Sequence, residues 1–153
     1  MNIKRGALAF NNVLSAELRC NVDTWYQQYI FFNNSVIENK LYATGPIIYK
    51  VFNFDKNTNE ADYIFYLPIN KEVEVEPDSM FKFQKKFVYE DGLSLRHVYL
   101  DEDIEKTNNK IRECAKLNNF KLEEPFYNIY LDVYGGGIIE VYAPILEDNS
   151  SDK

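Results

Sequence analysis

A lone carboxylate sits in an apolar strand near the end of this chain. In the run Ile138-Ile139-Glu140-Val141-Tyr142-Ala143-Pro144-Ile145, apolar residues alternate with Glu140, Tyr142 and Pro144. That two-residue period belongs to a strand. Ile139, Val141 and Ala143 then form a core face, while Glu140 and Tyr142 point into a cleft or into solvent. A carboxylate boxed by aromatic rings suits an organic cation, through charge pairing and the ring quadrupoles. The plainer reading is a solvated carboxylate, since lone strand carboxylates are usually surface groups.

The same design occurs once more. Pro46-Ile47-Ile48-Tyr49 leads through a polar loop to Tyr63-Ile64-Phe65-Tyr66-Leu67-Pro68-Ile69, and Pro125-Phe126-Tyr127-Asn128-Ile129-Tyr130 leads to the run containing Glu140. Both end in Tyr-x-Pro-Ile, with Pro68 and Pro144 76 residues apart and Pro46 and Pro125 79 apart. An internal repeat implies two similar halves with a seam where a pocket can form. Ile64 and Tyr66 are the matched positions of Glu140 and Tyr142, so one half offers an aliphatic side chain where the other offers a carboxylate. Tyr49, Tyr66, Tyr130 and Tyr142 are expected near the seam because they ride on the repeated hairpins. The candidate ligand site is therefore Glu140, Tyr142, Tyr66, Ile64, Tyr49 and Tyr130. Tyrosine is equally at home in protein interfaces, so the surplus of 12 Tyr supports both uses.

Other reactive residue types lack partners in the sequence. His97, the only histidine, has no Ser or Cys motif to serve. Cys20 and Cys114 lack metal-ligand spacing and read as small apolar fillers. Gly135-Gly136-Gly137 lies between strands, which makes it a turn and not a phosphate loop. No zinc, Walker or nucleophile-elbow pattern occurs. The expectation is a non-enzymatic protein with no cofactor, metal or catalytic residue.

A net charge of −7 and a pI near 4.8 argue against a nucleic-acid partner, which needs a clustered basic face. They argue equally against a polybasic membrane-surface protein. No apolar stretch approaches the roughly 20 residues of a membrane helix, and the first ten residues, broken by Lys4 and Arg5, lack the apolar run of a signal peptide. With two cysteines only, a reducing, cytoplasmic setting is expected.

The elements that must position these residues follow from pattern. Strands are expected at 3–10 and 13–20, or as one long strand bent at Asn11-Asn12. Asn21 is the expected N-cap of a helix running to about 40, ended by Thr44-Gly45-Pro46. Strands at 46–54 and 62–69 follow. The order then repeats: strands at 80–89 and 93–100 joined by a hairpin at Glu90-Asp91-Gly92, a helix capped by Asp101 and ended at Asn118-Asn119, and strands at 126–134 and 138–145. Residues 70–79, with Val73 and Val75 among Glu72, Glu74 and Glu76, are an acidic edge strand or a solvated linker. The reading is α+β: two pseudo-symmetric β-α-β-β repeats, about 3–69 and 80–145, forming one antiparallel sheet with two helices on one face. One domain spans 1–146, and residues 147–153 form a disordered tail.

That plan, with Gly45-Pro46 after the first helix and Glu140-Val141-Tyr142-Ala143-Pro144-Ile145 at the end, resembles the GyrI-like domain. The resemblance covers about residues 3–145. It implies the fold of the effector-binding half of MerR-type multidrug regulators such as BmrR, related to the SOUL haem-binding fold. In that family an aromatic cleft lies between the halves, and a glutamate at the position of Glu140 often meets a cationic drug. The regulators' helix-turn-helix is not found before residue 3, which argues against control by direct DNA binding. A second similarity, in length, acidity and Tyr/Asn-rich composition, is to a family from Gram-positive type VII secretion loci. Its staphylococcal member, EsaE or EssE, is a cytosolic chaperone for a secreted nuclease toxin. Three readings result: an adaptor for a partner protein, such as a secreted toxin or secretion component; a binder of a small aromatic cation with Glu140 as counter-ion; and a hydrolase using Glu140 as base.

Overall fold

The computed structural model describes residues 2–98, 102–133 and 136–151. Its elements run β1 (Lys4–Asn21), α1 (Trp25–Glu38), β2 (Ile48–Asp55), β3 (Glu60–Pro68), β4 (Phe81–His97), α2 (Ile104–Asn118), β5 (Phe120–Leu122), β6 (Tyr127–Val133) and β7 (Gly136–Asp148). The fold is α+β with antiparallel strands, the GyrI-like arrangement. It divides into two compact units, Phe10–Phe87 and Met1–Ala9 with Val88–Lys153, and β1 and β4 contribute residues to both.

Each unit builds the same small sheet. In the first, β3 lies between β1 and β2, with Tyr66 opposite Ser15 on one side and Ile48 on the other. In the second, β7 lies between β4 and β6, with Tyr142 opposite Ser94 and Tyr127. The β-α-β-β repeat is therefore real down to register, and Ile64 and Glu140 are its matched positions. β5 is an addition, pairing with the far end of β7 through Phe120 and Asp148.

Alternation along these strands separates two faces. In the second unit, Leu93, Leu95, Phe126, Ile139, Val141 and Ala143 face Ile111 and Ala115 of α2, an aliphatic core. In the first, Phe32 and Val36 of α1 are buried, and the Trp25 ring lies 4.5 Å from that of Tyr49 and 6.5 Å from that of Phe65. Both helices end as local chemistry dictates. Lys40 (φ 63°) is left-handed after α1, while its N–H reaches Ile37 O and that of Leu41 reaches Val36 O, a Schellman stop. Asn119 (φ 61°) is also left-handed at the end of α2, with its N–H reaching Ala115 O and Lys116 O, as the Asn118-Asn119 pair led one to expect.

β1 is one strand with Asn12 at φ 55°, the second of the two expected arrangements. Several other elements differ from the sequence reading. β4 is also continuous through Glu90-Asp91-Gly92, because those residues serve side-chain contacts in place of a turn. Asp91 takes a bidentate ion pair from Arg5 (2.9 and 2.7 Å), and Gly92 has no Cβ because the Tyr142 ring lies where one would stand. Asn21 does not cap α1. Its side chain accepts from Asp23 N–H in the preceding turn, and the helix starts three residues later than predicted. Asp103 caps α2 by accepting from Glu105 N–H; Asp101 lies outside the described residues. Residues 72–76 have no regular structure, which agrees with the linker among the two expected alternatives. Of the glycine run, Gly136 and Gly137 belong to β7, and Gly135 lies outside the described residues.

The region assigned to a polar tail begins instead as strand. β7 continues to Asp148, which pairs with Arg5 at 3.0 Å, and Asn149 exchanges hydrogen bonds with Asn119. The Asp148 carboxyl is drawn down to about 2, first by Ser150 and then by Arg5. The Arg5 guanidinium also lies 4.6 Å over the Phe120 ring, tying β1 to β5.

Ile111 is fully buried and Leu117, on the same helix, is 87% exposed. Ile111→Ala is expected to lower unfolding free energy by about 2–5 kcal/mol, and Leu117→Ala by less than about 0.5 kcal/mol, as read by urea denaturation. Equal losses at both positions would show that α2 does not pack as described.

Candidate functional site

The face of the second unit's sheet turned away from α2 gathers its reactive groups. Tyr142 stands on β7 two residues from Glu140, hence on the same side, and the cross-strand partner Tyr127 joins it from β6. Tyr89 arrives from β4, its ring 5.2 Å from that of Tyr127 and 6.4 Å from that of Tyr142. Its hydroxyl donates to Glu123 Oε2 at 3.1 Å and lies 2.5 Å from the Tyr127 hydroxyl. Glu123 stands between β5 and β6, held by its own N–H to Pro144 O.

Proton accounting defines what this cluster offers. Each phenol has one proton. Tyr89 gives its proton to Glu123, so Tyr127 gives its own to the Tyr89 oxygen. Two phenols and one carboxylate are thus linked in one chain of hydrogen bonds. The Tyr142 hydroxyl donates to Gly6 O at 2.8 Å. Burial pushes the Tyr142 phenol up to about 12, with Asp91 and Tyr89 adding to the rise, and burial also raises Tyr89.

Glu140 has a different setting. It lines a groove of about 310 Å³ with Asn2, Lys4, Ser94, Leu95, Arg96 and Val98. Arg96 is its cross-strand neighbour, with Nε 3.9 Å from Glu140 Oε1, a loose pair at the rim (side chains 59% and 29% exposed). Two cations thus share the groove with one carboxylate, so Glu140 is partly compensated.

The six residues predicted from the sequence fall on different faces. Glu140 and Tyr142 share the face away from α2. In the first unit Ile64 and Tyr66 share one side of β3, where the Tyr66 ring lies 5.0 Å from that of Phe87. Tyr49 does not join them. It is opposite Phe65 on the α1 side, packed on Trp25 and Tyr63 as core. Tyr130 likewise faces the α2 core, opposite Ile139 and lying over Gly137. Having an even number of residues between it and a cleft-facing partner excludes either residue from that side. Tyr89, Tyr127 and Glu123 were not anticipated. The signal for them was the Tyr127–Tyr142 register, legible only once the hairpin turn is known.

His97 is a structural histidine. It is buried, with Nδ1 2.9 Å from Thr107 Oγ1 and Nε2 3.1 Å from Glu102 O, tying the end of β4 to the start of α2. The two cysteines are free, Cys20 buried and Cys114 partly so. Among the described residues no group of His, Cys, Asp and Glu is arranged to hold a metal, and no helix is long and apolar enough to cross a membrane.

The family described as "Domain of unknown function (DUF5085)" matches residues 9–149. No curated protein matches the sequence. Among solved structures, the EcmrR C-terminal domain is similar at TM-score 0.70 and 11% identity, over 96% of this chain and 99% of that one. The chain spans 57% of the longer EcmrR chain seen in complex with DNA (TM-score 0.71, 11% identity, 94% of this chain). A hydrolase from Listeria innocua is similar at TM-score 0.69 and 12% identity, over 94% and 91%. SAV2435 bound to tetraphenylphosphonium is similar at TM-score 0.51 and 10% identity, over 95% and 94%. At such identities the likeness is one of fold.

The raised Tyr142 phenol has a stability consequence. A group whose pKa is higher folded than unfolded contributes stability that is complete below the unfolded pKa, near 10, and is lost as pH rises toward about 12. Tyr142→Phe is expected to flatten the stability loss between these values. At neutral pH it should cost about 0.5–1.5 kcal/mol through the missing bond to Gly6. Thermal unfolding followed from pH 8 to 12 checks this, and an unchanged alkaline slope would contradict the buried setting.

Proposed function

The chain belongs to the DUF5085 family, and we propose that it binds a small aromatic cation on the face of the second unit away from α2, without turning it over. What supports the reading is the Tyr89–Tyr127–Glu123 cluster, which sets ring faces beside a carboxylate. Such a surface attracts a positive charge through the carboxylate and the ring quadrupoles. The fold supports the reading, since tetraphenylphosphonium is bound by SAV2435 and EcmrR shares the same architecture.

Glu123 is the preferred counter-ion because the Tyr89 and Tyr127 rings lie beside it. Glu140, favoured by the sequence, shares its groove with Arg96 and Lys4, which disfavour a cation there. Hydrolysis is the weaker alternative despite the Listeria innocua likeness. Tyr89 and Tyr142 are pushed above the ordinary phenol range, which makes them poor bases at neutral pH. The adaptor reading, with a type VII secreted partner, finds no support among the structural relatives. Free thiols at Cys20 and Cys114 fit a reducing cytoplasm.

Tetraphenylphosphonium titrated into the intact chain, followed by calorimetry, tests the proposal. Saturable binding is expected. Glu123→Gln should weaken it about 10- to 100-fold, the scale of a charge-assisted contact, and Glu140→Gln less than about 3-fold. No binding by the wild type would overturn the cation reading, and the reverse order of the two variants would return the role to Glu140.

A further inference from the structure

The first unit has an unusual helix. α1 reads Trp-Tyr-Gln-Gln-Tyr-Ile-Phe-Phe-Asn-Asn-Ser-Val-Ile-Glu, with one charged side chain, Glu38, at its last position. In a chain of which 27% of residues are charged, this is a local exclusion of charge. One side of α1 packs inward through Phe32 and Val36. The other leaves large apolar side chains in solvent: Tyr26 39%, Ile30 43%, Phe31 66% and Ile37 57% exposed, with Tyr42 just beyond at 62%.

The spacing of these residues is informative. Tyr26, Ile30, Asn33 and Ile37 follow one another at intervals of four, three and four, the seam of two heptads. Phe31 widens the patch to one side. A solvated helix face would be expected to carry Lys and Glu at such positions.

We propose that this face is the contact between two copies of the chain, paired through a parallel α1–α1 seam about a twofold axis. Charge selects this occupant. Each copy carries −7, so two copies repel wherever acidic surface meets acidic surface. On α1 the meeting brings together no charged side chains before Glu38. A nucleic acid or an anionic membrane would require Lys or Arg, which α1 lacks. A basic partner would be drawn to the acidic surface elsewhere. Polar matching sets the direction. A parallel seam places Asn33 beside the second copy's Asn33, where the two amides can bond to each other, whereas an antiparallel seam sets it against Ile30.

Size sets the strength. At roughly 200 Å² for each large side chain, the five exposed residues offer on the order of 500 Å² per copy. That is below the roughly 800 Å² per partner of a standard interface, so a weak, concentration-dependent dimer is expected.

Sedimentation of the intact chain from about 1 to 500 µM at about 0.15 M salt tests this. The mass should climb from 18.0 kDa toward twice that value. Ile30→Glu and Ile30→Lys, both at an exposed position and checked for folding by circular dichroism, should each weaken association at least about tenfold. Mixed in equal amounts, the two variants should associate again, because a parallel seam sets residue 30 against residue 30. A wild type that stays monomeric throughout overturns the proposal, even if a vesicle or a peptide binds the same face. So does a dimer indifferent to Ile30→Glu, or a mixture that fails to associate.

Discussion

The second unit depends on β7 being buried on both faces. Val141 and Tyr142 are adjacent in the chain, lie on opposite sides of the sheet, and are both removed from solvent. One side requires aliphatic shape under α2, and the other requires a place for a phenol. A one-residue slip would drive the Tyr142 hydroxyl and the Glu140 carboxylate into the aliphatic core and cost several kcal/mol in unmet polar groups. Register is therefore dictated from both faces at once, and β4, β5 and β6 take theirs from it. Gly92 is part of the same constraint, since the strand beside Tyr142 must leave out a side chain for the ring to lie flat.

The repeat shows how one scaffold supports two different surfaces. Tyr66 and Tyr142 sit opposite Ser15 and Ser94 in identical sheet positions. Around them the residues diverge. Ile48 in the first unit becomes Tyr127 in the second, and Ile64, flanked by Glu17 and Lys50, becomes Glu140, flanked by Arg96 and Ile129. Backbone pairing is preserved because register is fixed by the buried faces. The second phenol and the two carboxylates are what give the second unit its chemistry.

Much of this was legible in the chain, and the failures have physical causes. Period-two alternation placed Glu140 and Tyr142 together and matched them to Ile64 and Tyr66. It failed for Tyr49 and Tyr130 because the repeat identifies which hairpin a residue rides on, while its side of the sheet depends on register, a non-local property. Asp91-Gly92 carries the strongest local signal for a hairpin, yet Arg5, 86 residues away, and the Tyr142 ring hold it extended. Tertiary contacts overrode turn chemistry there. A turn there would part Tyr89 from Tyr127, whereas the continuous β4 brings their rings to 5.2 Å. The polar stretch after Ile145 obeys the same rule, for Asp148 finds its partner in Arg5 near the other end of the chain.

The distinction between the two carboxylates follows from these placements. Glu140 lies beside Arg96 across an antiparallel pair, the arrangement in which opposite charges compensate each other on a strand surface. Whatever approaches that groove meets both signs. Glu123 accepts from the Tyr89 hydroxyl in the segment between β5 and β6, beside the Tyr89 and Tyr127 rings. The half-buried setting of Tyr89 and Glu123 also lowers the local dielectric, which strengthens attraction to a charge that arrives without its own counter-ion. The two carboxylates of the second unit thus differ in surroundings, one beside a guanidinium and one beside aromatic rings, and it is the register of β4, β6 and β7 that sets them apart.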